Sequence, residues 1–215
     1  MKTSIEIDES GYRTLKKFLI SCVPSVPEIA LRTIFTYKGS FPTTFEEMLG
    51  EFAWMLDKIP NNVFTSLRDF AKKHSFPCIT NEAVLLSFGS PEHLERAKQS
   101  CIVYSGLTNE QKIVGHLTLP VRVTQEERGL FTARFIYKKH PIVRNVFDPS
   151  GEAKIGNIIL VHLGIVVAID PSEELLNDLA DLKQDFRAED LSKISEIDYS
   201  EILNDTLRRM KIYGY

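Results

Sequence analysis

The chain has 215 residues, of which 43% are hydrophobic and 26% charged, and a formal net charge of −3. Those proportions belong to a globular protein that buries a core, and they exclude collagen-like, low-complexity and intrinsically disordered architectures. Three cysteines, Cys22, Cys78 and Cys101, are too few and too scattered for a disulfide scaffold.

A reducing, cytoplasmic setting is therefore expected. The first ten residues carry acids and no apolar stretch, so no signal or transit peptide is expected. The longest apolar run, 158–169, is interrupted by His162. It falls short of the roughly 20 residues a membrane helix needs, so no transmembrane segment is expected.

Ser4 to Ile7 alternates and reads as a short strand. Tyr12, Leu15, Phe18 and Leu19 then form one apolar helical stripe. Pro27 suits the first turn of a second helix, which Gly39 can close. Thr44-Phe45-Glu46-Glu47 is a capping box, and the helix it opens carries Phe45, Met48, Leu49 and Phe52 on one face and Trp54 nearby. Ile59-Pro60-Asn61-Asn62 ends that helix, and Asn62 caps the next, Val63 to Lys73. Ser90-Pro91 predicts another helix start, and Cys101 to Tyr104 a buried strand.

The period then changes to two. Residues 113–123 and 130–139 alternate, with a polar loop 124–129 between them, and predict a β-hairpin spanning 113–139. Asp148-Pro149-Ser150-Gly151 is turn chemistry. The run 157–169 is apolar on both faces and predicts a central strand covered on both sides, with Gly164 allowing close approach of another backbone or a ligand. Asp170-Pro171-Ser172-Glu173 and Asp198-Tyr199-Ser200-Glu201 each start a helix. Arg208, Arg209 and Lys211 suit the negative end of the last one.

Helices first, strands next and helices last predict an α+β fold: an N-terminal helical region, an antiparallel sheet (hairpin 113–139, central strand 157–169) and C-terminal helices. Length and the lack of a linker predict one domain over 1–215, with a soft boundary near 105.

Nothing in the sequence specifies catalysis. The phosphate loop, the dinucleotide-binding glycine pattern, the hydrolase elbow and the zinc helix are all absent, as is C-x-x-C. His74 and Cys78 alone are too few ligands for zinc, so neither a metal nor a cofactor is expected. Cys101 with His93 or His116 has no local feature that selects it as a nucleophile pair. His162 reads first as a satisfied core residue and second as a proton-transfer group.

Charge is the informative feature. Residues 112–144 hold seven basic against two acidic residues, a net of +5; residues 170–205 hold three basic against twelve acidic, a net of −9. The two regions either complement one another or leave a cationic surface for a partner. Pairing 121 with 133 and 117 with 137 puts the odd-numbered apolar residues on one face. The other face then collects His116, Thr118, Arg122, Thr132, Arg134 and Lys138, with Lys139, His140 and Arg144 at its end.

The expectation is a non-enzymatic binding or assembly protein. Its binding residues would be His116, Arg122, Arg134, Lys138, Lys139, His140 and Arg144, facing an anionic partner: an acidic protein, a nucleic acid or a membrane surface. Phe135 and Tyr137 fall on the core face, which removes the stacking platform that single-stranded nucleic acid usually needs. Two alternatives follow from the same residues. One is a small enzyme in which these cations hold an anion and His116 or His162 moves protons. The other is a self-associating structural subunit joined through the helix around Trp54 or the C-terminal tail.

Overall fold

A computed structural model describes residues 6–21, 62–93, 95, 115–116, 118–136, 141–182 and 194–213. The predicted helices around Pro27 and Thr44 and the strand 101–104 lie outside these residues, as do Trp54, Cys22 and Cys101.

The chain is α+β, as its element order predicts. β1 (Glu6–Ile7) leads into α1 (Glu9–Ser21) through Asp8, whose carboxylate accepts from the Gly11 amide at 2.7 Å and from the Ser10 hydroxyl at 2.6 Å. An acid in this position satisfies the orphan donors of the first turn. The predicted stripe faces inward, with Tyr12, Leu15 and Phe18 buried. α2 (Asn62–Lys73) buries Leu67, Phe70 and Ala71.

β2 (Cys78–Ile79) pairs with β1 in parallel, and Thr80 caps α3 (Asn81–Gly89) by accepting from the Ala83 amide. Sequence periodicity misses α3 because residues 83–89 are all buried: a helix covered on every side carries no amphipathic signal. The expected start at Ser90-Pro91 is present, for residues 91–93 are helical and the Ser90 hydroxyl accepts from the His93 amide at 3.3 Å.

The strands are β3 (Leu119–Glu127), β4 (Leu130–Phe135), β5 (Ile142–Phe147), β6 (Ile158–His162), β7 (Ile165–Ile169) and β8 (Glu196–Asp198). α4 (Glu173–Leu182) and α5 (Ser200–Tyr213) complete the described elements. The strand order is β4-β3-β6-β7-β5-β8, and β4 also pairs with β5. The first five strands therefore close into a barrel, and β8 adds to the outside of β5.

This corrects the expected antiparallel sheet: β5 pairs in parallel with both β7 and β8, so the sheet is mixed. Register shifts at Val123/Gln125, Phe131/Ala133 and Leu160/Val161 supply the bends that closure requires.

Two further expectations change. Val121 lies opposite Phe135, not residue 133. That two-residue slip keeps the odd-numbered set inward, and Leu119, Val121, Val123, Phe131 and Ala133 are all buried. The β3–β4 connection also shrinks to Arg128-Gly129, both at positive φ, which matches the right-handed twist of a hairpin.

The predicted single strand 157–169 is a hairpin, turning at Leu163-Gly164, again both at positive φ. A leucine in this conformation is unusual, and it holds here because the side chain is fully buried in the barrel core.

Both faces of the β6–β7 hairpin are covered, as the apolar run predicts. Ile159, Val161, Leu163 and Val166 fill the barrel with Tyr199 and Ile202. Leu160 and Val167 belong to a second core, shared with residues of α1, α2, α3 and α4. At the start of α4 the cap is Ser172, whose hydroxyl accepts from the Leu175 amide at 3.1 Å. Asp170 is used instead to hold Asn157 and the Ile158 amide.

Among the described residues no helix is long and apolar enough to cross a membrane. Cys78 forms no disulfide bond.

Gly164 and Gly129 form a matched pair. Both sit at positive φ, but a Cβ on Gly164 would lie 2.8 Å from Tyr199 Cβ, whereas one on Gly129 meets nothing within 4 Å. Gly129→Ala is expected to cost about 1–2 kcal/mol of backbone strain. Gly164→Ala should cost about 2–5 kcal/mol, because overpacking adds to that strain. Urea unfolding of the two variants checks the difference; equal costs would remove the close packing of Tyr199 on the turn.

Candidate functional site

The cationic residues are built by the outward positions of three consecutive strands. Arg122 and Arg134 are direct cross-strand partners of β3 and β4, and Arg134 pairs onward with Ile142 of β5, two residues from Arg144. All three arginines are exposed. Like charges directly opposite one another repel, so this row is costly unless something anionic faces it.

Two members have partners within the chain. Arg122 donates from Nη1 to the Gly156 carbonyl at 2.9 Å. Arg144 donates from Nε to Glu196 Oε1 at 2.7 Å. Glu196 belongs to β8, which lies in parallel register against Ile142, Val143 and Arg144.

Asp198, at the other end of β8, accepts from Asn145 Nδ2 at 2.6 Å and from the Ser200 amide at 2.8 Å. Burial would push its carboxyl up. The bonds from Asn145 and Ser200, with the Arg144 charge beside it, outweigh burial and hold it below the usual aspartate range. Among the described residues the basic strands and the acidic C-terminal region thus meet at Arg144.

The other expected members are distributed differently. Lys138, Lys139 and His140 lie outside the described residues. Thr132 is half-buried. His116 does not stand on the outward face of the ribbon, and this corrects the expected placement. It sits in a helical turn at residues 115–116, before β3 begins, and is 5% exposed. Thr118 is fully buried as well. The described ribbon starts at Leu119, and Gly115, His116 and Thr118 ahead of it are buried.

A loop beside the arginine row carries a residue that sequence reasoning missed. Ile155 is 62% exposed, the one large hydrophobic side chain so displayed among the described residues. Its loop is firmly built. The Asp148 carboxylate accepts from the amides of Ser150, Glu152 and Ala153 at 2.8–2.9 Å. Asn157 accepts from the Lys154 amide at 2.7 Å, and the Gly156 amide donates to the Val123 carbonyl at 2.9 Å. The sequence shows the turn chemistry at 148–151 but not that the next five residues are fixed in place.

The histidines form a second grouping, on the helix side of the barrel. His93, His116 and His162 approach one another with ring centroids 5.5, 5.6 and 6.4 Å apart. His162 also meets Phe18 at 4.9 Å and Phe88 at 5.9 Å. Gaps of 23 and 46 residues separate the three in the chain, so no local motif announces them. Among the described residues no group of three or more His, Cys, Asp or Glu side chains is arranged to hold a metal ion.

The arginines do not join the histidines. Val161 is paired with Leu119, which sets His162 level with Thr118, four residues from Arg122 along β3. At about 3.3 Å per residue the gap is roughly 13 Å.

No known protein family, curated protein or solved structure matches the chain.

Asp148 gives a pH prediction. Burial would raise its carboxyl, but the amides of Ala153, Ser150 and Glu152 and the Ser150 hydroxyl together hold it below the usual range. A carboxyl lowered on folding contributes stability that is complete above its unfolded value, near 3.9, and is lost as pH falls through the folded value. Asp148→Asn should therefore be less stable than the wild type by a constant margin at pH 7 and 5, and that margin should shrink at pH 3. Urea midpoints at the three values measure it; a margin unchanged at pH 3 would remove the charge-based account of this loop.

Proposed function

We propose that the chain is a binding module whose outer barrel face, centred on Arg122 and Arg134, takes an extended acidic segment of a partner protein. The row of outward arginines on β3, β4 and β5 carries the reading. Two of them stand directly opposite each other, so a partner's carboxylates would relieve a repulsion already present in the free protein. β8 supplies the precedent within the chain: an acidic strand lies along β5 and gives a carboxylate to Arg144. Ile155 adds one apolar contact on a preorganised loop, where a partner loses little by docking.

A protein segment is favoured over nucleic acid because Phe135, the aromatic nearest Arg134, packs partly into the barrel core and is not displayed for stacking. The enzyme alternative is disfavoured by the distance between arginines and histidines, since a catalytic site needs its charged and proton-transferring groups to converge. The self-association alternative rests on the helix around Trp54 and the extreme C-terminus, which lie outside the described residues.

The test is fluorescence anisotropy with a labelled peptide of alternating glutamate and isoleucine, repeated with a single-stranded oligonucleotide and with anionic vesicles. Binding of the peptide should weaken as salt rises from 50 to 300 mM, because the screening length falls to roughly 6 Å at the higher value. Arg122→Glu with Arg134→Glu should weaken it at least tenfold without changing the unfolding free energy measured in urea by more than about 1 kcal/mol. Peptide affinity that survives the double charge reversal would overturn the reading, and so would preference for the oligonucleotide or the vesicles.

A further inference from the structure

Resting on the reading of the outer barrel face as the site of an acidic partner segment, we propose that Arg122 and Arg134 together grip one phosphoryl group. The segment then carries a phosphorylated side chain at its centre.

Register places the two arginines in a row that crosses β6, β3, β4 and β5. Ile158 is the partner of Arg122, Arg122 of Arg134, and Arg134 of Ile142. The row thus reads isoleucine, arginine, arginine, isoleucine, with neighbouring Cα atoms about 4.5–5.5 Å apart. Both isoleucines are half-buried and both arginines exposed. Beyond Ile142 the row reaches Glu196, which is paired with Arg144. Among the described residues neither Arg122 nor Arg134 has a carboxylate partner.

The spacing of this pair selects its ligand. A carboxylate brings one charge and two oxygens, and a single guanidinium fork fills both. Two arginines therefore call for two carboxylates. In an extended segment adjacent side chains point to opposite faces, and those on one face stand roughly 6.6 Å apart, wider than the arginine row. One phosphoryl group avoids the mismatch. It brings a charge of about −1.5 to −2 and three acceptor oxygens to one point, so each arginine can take it from its own side. The phosphodiester of a nucleic acid carries a single charge and fits the pair less well.

One prong is set in place and the other is left to close. Arg122 donates from Nη1 to the Gly156 carbonyl at 2.9 Å, and the Gly156 amide is bonded to the Val123 carbonyl at 2.9 Å. This holds the guanidinium against its loop and leaves its other donors for a ligand. Among the described residues Arg134 has no such tether. Ile155, 62% exposed, immediately precedes Gly156 and so displays an apolar contact beside Arg122. That contact favours a peptide over free phosphate.

The experiment compares three labelled peptides on the full chain by fluorescence anisotropy at fixed salt. The first is the alternating glutamate and isoleucine peptide, the second has its central glutamate replaced by phosphoserine, and the third has serine there. The phosphoserine peptide should bind about tenfold or more tighter than the glutamate peptide, and the serine peptide weakest. Arg134→Lys keeps the charge but lacks the fork, and should cut the phosphoserine advantage to about threefold or less. The side-chain Nε–H NMR signals of Arg122 and Arg134 in the wild type should shift together as the phosphoserine peptide is added, a readout that needs no variant. A phosphoserine peptide no tighter than the glutamate one would overturn the grip and leave the acidic-segment reading standing, whereas failure of both to bind would overturn the two together. An advantage unchanged in Arg134→Lys would also overturn the grip, as would a shift at only one arginine. Inorganic phosphate binding as tightly as the phosphoserine peptide would show a site for free phosphate and overturn the peptide assignment.

Discussion

The fold rests on the β6–β7 hairpin, because this one ribbon serves two apolar cores. Its inward residues close the barrel beneath it, and its outward residues carry the helical layer. An element buried on both faces has no polar side to spend on solvent, so its turn must be buried too. That is why Leu163 accepts a left-handed backbone and why Gly164 must lack a side chain where Tyr199 crosses it. The hairpin therefore cannot shift without disturbing both layers.

The helical layer also decides which part of the barrel is left to act. Where α1 and α3 cover the ribbon, outward positions are taken by Thr118 and His162, both buried. Beyond their reach, the same face of β3 and β4 carries Arg122 and Arg134 in solvent. The two groupings of interest are thus the covered and uncovered ends of one surface. At the open end the arginine side chains stand in solvent, where water and salt screen their charge.

β8 connects these ideas to the acidic C-terminal region. Its three residues place Glu196 on Arg144 and Asp198 on Asn145 and Ser200. One ion pair between partly exposed groups contributes little stability, on the order of 0–1 kcal/mol. Its importance is geometric: it fixes the path by which the chain leaves β5 and enters α5. Among the described residues of 170–205, Glu196 is the acid that pairs with an arginine of the basic strands.

Much of this was legible beforehand. The α1 stripe, the α2 boundaries, the inward odd-numbered residues of β3 and β4 and the double-sided apolarity of 158–169 follow from side-chain periodicity, which records what each segment must bury. The Asp148 turn and the Ser200 helix start follow from local hydrogen-bonding chemistry. Other features leave no periodic trace. α3 is buried all round, the 158–169 run turns on a leucine instead of on asparagine or glycine alone, and His93, His116 and His162 meet only because distant elements are stacked. Segment-level preferences are local properties and the sequence determined them; closure of the barrel, the residue actually opposite Val121 and the burial of His116 are outcomes of competition among many segments for the same interior, and only the tertiary structure decided them.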